Sequence, residues 1–124
     1  MKTNFTLEFI LNTSPEILYK RLHSAVGLSE WFADNVDVDK DIFTFTWDGV
    51  DQQARRTKVK QNQLVRFEWI DEEEPNFFEF IVEKDEMTGD VSLIVSDNAE
   101  EDEVDDTKDL WNQQINDLRN VIGG

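Results

Sequence analysis

The chain has no cysteine and a single histidine. Without thiols there is no disulfide framework, no thiolate nucleophile and no cysteine metal site, and one histidine alone does not build a zinc centre. Positive charge is scarce as well: 12 lysines and arginines stand against 28 aspartates and glutamates, a net charge of −16. Binding a phosphate backbone requires cationic surface to release counterions, so nucleic acid is not an expected partner. Anionic membranes are disfavoured for the same reason. No segment approaches the roughly 20 apolar residues of a membrane-spanning helix. The opening Met1-Lys2-Thr3-Asn4-Phe5-Thr6 lacks the apolar run of a signal peptide. The expectation is a cytoplasmic protein in which the Asn4-Phe5-Thr6 sequon carries no meaning. No cofactor is expected.

What is present is a change of period along the chain. With 124 residues, one domain spanning 1–124 is expected, and about two-thirds of the unfolded surface can be buried at that size. Phe5, Leu7, Phe9 and Leu11 alternate with polar residues, which predicts a half-buried strand. Thr13-Ser14-Pro15-Glu16 reads as a helix start. Either Ser14 caps with Pro15 in the first turn, or Thr13 caps with Glu16 closing the box. Ile17, Leu18 and Leu22 form that helix's apolar side. Gly27 interrupts the next stretch, yet Leu28, Trp31 and Phe32 share a helical face behind Ser24, predicting a second short helix over roughly residues 24–33.

Alternation then returns. Val36 and Val38 predict a short strand, and Phe43, Phe45 and Trp47 predict the next. Asp48-Gly49 is a strong hairpin signal. A polar strand from about Val50 to Lys60 follows, then Val65, Phe67 and Trp69, a break at Pro75-Asn76, then Phe78, Phe80 and Val82, a turn at Gly89, and Val91, Leu93 and Val95. Short turns between successive strands predict an antiparallel meander with one apolar, aromatic-rich face. A last stretch carries Val104, the stem of Lys108, Trp111, Ile115, Leu118 and Ile122 at helical period. That stripe must be buried, and the sheet is its only large partner. The fold predicted is α+β: a curved seven-stranded antiparallel sheet gripping a long C-terminal helix, with two short helices after the first strand.

Several segments resemble one family. Ser14-Pro15-Glu16-Ile17-Leu18-Tyr19, Leu28-Ser29-Glu30-Trp31-Phe32-Ala33-Asp34, Phe45-Thr46-Trp47-Asp48-Gly49, Leu64-Val65-Arg66-Phe67-Glu68-Trp69 and the helix from Leu110-Trp111 to Leu118 resemble the START-like, helix-grip superfamily. Within it they are most similar to homologues of the heat-shock-chaperone ATPase activator. These are packing and turn signals rather than a catalytic signature. The resemblance implies the helix-grip fold. It also implies either a cavity for lipids, hormones or other apolar molecules, or a role in contacting proteins. This chain is more acidic than typical members, and carboxylates fill the loop before its last helix, which argues against a membrane-docking lipid carrier.

The candidate chemistry is sparse. His23 ends a helix, where a cation suits the macrodipole. The serines lack a nucleophile-elbow setting. Asp37, Asp39, Asp41 and Asp48 have calcium-loop spacing, but Ile42 stands where the sharp turn needs glycine, and the segment reads as a hairpin. On the polar strand Arg55, Thr57 and Val59 share one face, and Arg56, Lys58 and Lys60 the other. If Val59 faces the core, Arg55 points into the cavity towards a ligand carboxylate. The candidate ligand-binding set is Trp31, Phe45, Trp47, Arg55, Phe67, Trp69, Phe80 and Trp111, with indole N–H groups among the few polar contacts. The first functional reading is non-enzymatic binding of a small apolar or amphipathic molecule between sheet and helix. The alternative is a protein-interaction module or homodimer with a filled cavity, and an enzyme ranks third. Aromatics packed solidly against Trp111 favour the second reading; an open pocket with convergent polar groups favours the first.

Overall fold

A computed structural model describes residues 2–70, 72 and 76–123. The acidic run and break expected at 71–76 therefore lie outside the described residues, except for Glu72 and Asn76. The order is β1 (Lys2–Leu11), α1 (Pro15–His23), α2 (Ala25–Ser29), β2 (Asn35–Asp39), β3 (Ile42–Trp47), β4 (Val50–Lys60), β5 (Leu64–Trp69), β6 (Phe77–Lys84), β7 (Val91–Glu100) and α3 (Val104–Ile122). The strands form one curved antiparallel sheet in the order β1-β7-β6-β5-β4-β3-β2. This is the helix-grip arrangement that the sequence predicts.

Local chemistry explains the elements. Ser14 caps α1 by accepting from the Ile17 N–H at 3.2 Å, with Pro15 in the first turn. Ser24 caps α2, accepting from Gly27 at 3.0 Å while its hydroxyl donates to the Lys20 carbonyl at 3.1 Å. Asp48 and Gly49 both adopt positive φ, 50° and 79°, as the tight hairpin between β3 and β4 requires. Gly123 closes α3 in the left-handed region. Gly27 is needed for closeness rather than for φ. A Cβ there would sit 2.0 Å from the Lys20 carbonyl oxygen, so only glycine lets α2 lie against α1.

The core is the concave face of the sheet, and it is aromatic. Phe43, Phe45, Phe67, Phe78 and Phe80 are fully buried. Phe67 stacks on Phe78 with centroids 5.0 Å apart, and Phe43 meets Phe67 edge-on at 5.1 Å. Helix α3 lies across them: Trp111, Ile115 and Leu118 are buried, and Val104, Lys108 and Ile122 are half-buried. Trp111 meets Phe80 edge-on at 5.8 Å.

Two local expectations are corrected, the burial of Ile17 and the extent of α2. Ile17 is 48% exposed, and Tyr19 takes its place beside Leu18 and Leu22. Strand β2 forms where Val36 and Val38 predict it, with Val36 buried and Val38 exposed at the sheet edge. Helix α2 is only five residues long, and Trp31 and Phe32 are buried in the turn that follows it. His23 stacks on Tyr19 at 4.4 Å, and burial, then the neighbouring Arg56 charge, lowers its pKa. It is Arg56 that donates to the last-turn carbonyl of His23.

Candidate functional site

Between the β3–β4 end of the sheet and α3 lies a groove of about 450 Å³, within the range of small-molecule sites. Phe32, Trp47, Trp69 and Trp111 line it, with Leu110 at its edge. Its polar lining is Asp48, Gln52, Asp97, Thr107 and Gln114.

Each side chain arrives for a local reason. Trp47 ends β3 on the concave side, in phase with Phe43 and Phe45. Its indole N–H donates to the Phe32 carbonyl at 2.8 Å. Gln114 of α3 donates to the same carbonyl at 3.0 Å, so one backbone oxygen ties the turn after α2 to both β3 and α3. Trp69 ends β5 with its ring 6.4 Å from Trp47 and 5.2 Å from Phe78. Gln52 lies opposite Phe45 in the β3–β4 register and so shares its concave face. Asp97 sits on β7, in step with the buried Val91, Leu93 and Val95 before it and Ala99 after it.

Asp97 is the polar centre of the groove. Its Oδ2 accepts from the Trp111 indole at 2.8 Å, and its Oδ1 accepts from the Asn98 backbone at 2.7 Å. Burial pushes its pKa above the usual carboxylate value, against both hydrogen bonds and the charge of Lys2. No lysine, arginine, histidine or serine is among the described residues lining the groove. The arrangement offers π surface, apolar area and acceptor oxygens, which are means of binding and orienting a molecule.

The eight residues proposed from sequence separate into four sets. Trp47, Trp69 and Trp111 converge on the groove. Phe45, Phe67 and Phe80 are fully buried beneath it and present no free surface. Trp31 lies in a neighbouring hollow of about 590 Å³ beside Ser29 and Asp117, its indole N–H spent on the Arg21 carbonyl at 2.8 Å. Arg55 points away from the cavity. It is half exposed and lies 3.5 Å from Asp41. The reason is a bulge between Arg56 and Lys58. An inserted residue reverses the alternation, so Val59 no longer reports the facing of Arg55. On the near side of the bulge, Gln52, Ala54 and Arg56 face inward, opposite Phe45, Phe43 and Phe67.

Asp97, Gln52 and Gln114 were not foreseen. Asp97 was readable: carrying the Val91-Leu93-Val95 alternation two residues further places it on the core face. The run of acids from Asp97 to Asp106 hid it as apparent loop. Gln52 needed the register with Phe45, which strand pairing alone supplies.

The family described as START-like superfamily domain matches the chain over residues 1–124. The chain belongs to this superfamily. A Bacteroides fragilis protein with a solution NMR structure is 37% identical, covers 97% of this chain and 90% of its own, and superposes with a TM-score of 0.70. The Aha1 dimer from Colwellia psychrerythraea is 17% identical over 97% and 96% of the two chains, with a TM-score of 0.80. It is consistent with the likeness to chaperone-activator homologues in fold. A Mesorhizobium loti protein is 15% identical over 98% and 97%, with a TM-score of 0.81. No curated protein matches. No helix among the described residues is long and apolar enough to cross a membrane.

Proposed function

We propose that this START-like domain binds a small amphipathic molecule in the groove between the β3–β4 end of the sheet and α3. The observation that carries the reading is that Trp47, Trp69, Trp111 and Asp97 line one groove of about 450 Å³, with Trp111 hydrogen-bonded to Asp97. The deeper aromatics fill the interior, so the ligand sits at the mouth of the grip rather than in its centre. Trp47 and Trp69 are half-buried, leaving area for an apolar body to cover. Burying that area stabilises the complex by about 25 cal/mol per Å² before ordering costs.

The test is a panel of apolar, anionic, cationic and neutral amphiphiles read by tryptophan fluorescence and melting temperature. A ligand that binds only the folded state raises the melting temperature with its concentration. At least one chemical class is expected to do so and to lose affinity in Trp69→Leu. A flat panel overturns the reading.

The rival reading is a protein-interaction module, supported by the solid packing of Phe45, Phe67 and Phe80 beneath the groove. A flat panel together with a concentration-dependent dimer in light scattering favours it.

A further inference from the structure

The donors nearest the Phe32 carbonyl and Asp97 are already used, the Trp69 indole and the Gln52 amide make no described hydrogen bond, and Asp97 keeps acceptor capacity. The Trp47 indole and the Gln114 amide both donate to the Phe32 carbonyl, and the Trp111 indole donates to Asp97. A carboxylate oxygen has two lone pairs, and each oxygen of Asp97 accepts one described hydrogen bond. Both can accept another. Beyond the groove, Trp69 also lines a hollow with Asp51 and Glu72, and Asp48 stands at the groove's own edge. An incoming carboxylate would meet a half-buried carboxylate and no lining cation. An incoming cation would meet indole rings, the strongest of the side-chain cation–π partners, in the field of a chain carrying −16.

We propose that the groove takes an organic cation: an ammonium or quaternary ammonium head among Trp47, Trp69 and Trp111, with the Asp97 carboxylate as counter-charge, and an apolar body against Leu110. This rests on the reading of the groove as a ligand site and adds to it the charge of the ligand. It reverses the acid-binding expectation attached to Arg55, because that arginine lies on the outer face beside Asp41. The raised pKa of Asp97 fits the assignment. Lys2 is the smallest of the influences named on this carboxyl, so its negative charge is poorly compensated, and a bound cation would relieve it.

The experiment is calorimetric titration of the intact chain with benzyltrimethylammonium, with neopentylbenzene (its uncharged carbon isostere) and with phenylacetate. The cation is expected to bind about tenfold tighter than the isostere, the scale of a cation–π contact plus an ion pair that involves no hydrogen bond, and phenylacetate weakest. Asp97→Asn should lose about that tenfold for the cation alone. Glu86→Gln, which removes the same charge in the exposed β6–β7 turn, should leave all three titrations unchanged. Trp69→Leu should weaken the cation more than the isostere and provides an independent variant if Asp97→Asn folds poorly. Equal binding of cation and isostere, or tighter binding of phenylacetate, overturns the charge assignment while the groove still stands as a site. Equal losses in Asp97→Asn and Glu86→Gln overturn it too, by assigning the preference to the diffuse field. If no probe binds, both the assignment and the site fall.

Discussion

The indole of Trp111 donates to the carboxylate of Asp97 at 2.8 Å, joining α3 to β7 at the floor of the groove. The same tryptophan is buried against Phe32, Phe78 and Phe80. One residue thus holds the closing helix on the sheet and orients the groove's only half-buried carboxylate among its described lining residues.

Trp111→Ala removes that anchor and leaves a cavity. The expected loss is about 3–5 kcal/mol, measured from the urea midpoint. A loss under about 1 kcal/mol would mean that α3 is held elsewhere.

Asp97 predicts a pH signature. Its folded pKa is raised above the unfolded value of about 3.9. Above both values the folded state bears the burial penalty of the charged form. As pH falls through the folded pKa and then the unfolded one, both states become neutral and the penalty disappears. Asparagine has no such titration. The stability difference between wild type and Asp97→Asn should therefore move in favour of the variant as pH rises from acid to neutral. A difference that is flat, or that moves the other way, contradicts the raised pKa.

Gly27 and Gly89 form a matched pair. Ala at 27 drives a Cβ into the Lys20 backbone, whereas Ala at 89 meets nothing within 4 Å and pays only for its positive φ. Gly89→Ala is expected to cost on the order of 1 kcal/mol, and Gly27→Ala more, about 1–3 kcal/mol or above. Equal midpoints in urea would show that α1 and α2 do not pack as closely as described.

Excess negative charge predicts stabilisation by salt. The described ion pairs of Arg21 with Glu30, Arg55 with Asp41 and Arg66 with Glu79 engage few of the 28 acids. Screening weakens their mutual repulsion, so the melting temperature should rise from low to moderate sodium chloride. A falling curve would place most of the acids in attractive networks.

The fold was legible because its signals were redundant. Phe43-Phe45-Trp47, Val65-Phe67-Trp69 and Phe78-Phe80-Val82 each repeat period two, and Asp48-Gly49 fixes the turn between β3 and β4. The stripe through Trp111, Ile115 and Leu118 then has only one surface to cover. The site was legible in its apolar half for the same reason: Trp47, Trp69 and Trp111 belong to those patterns. Its polar half was hidden. Asp97 lies inside a run of acids, so its charge masked its phase. The Arg55 expectation depended on unbroken alternation through a strand that contains a bulge, and a bulge is set by pairing with β5 rather than by the residues of β4 alone. Tyr19 in place of Ile17 has a similar origin, since both side chains suit an apolar stripe and only the packed neighbours choose between them.

The four indole N–H resonances, followed in a titration with benzyltrimethylammonium and with neopentylbenzene, report on whether the groove at the mouth of the grip is the working site. Trp47, Trp69 and Trp111 line the groove and Trp31 does not. The first three are expected to shift together on a single binding curve while Trp31 stays in place. A shift of Trp31, alone or with Trp47 (which also lines its hollow), while Trp69 and Trp111 stay in place, or no shift at saturating probe, would contradict it.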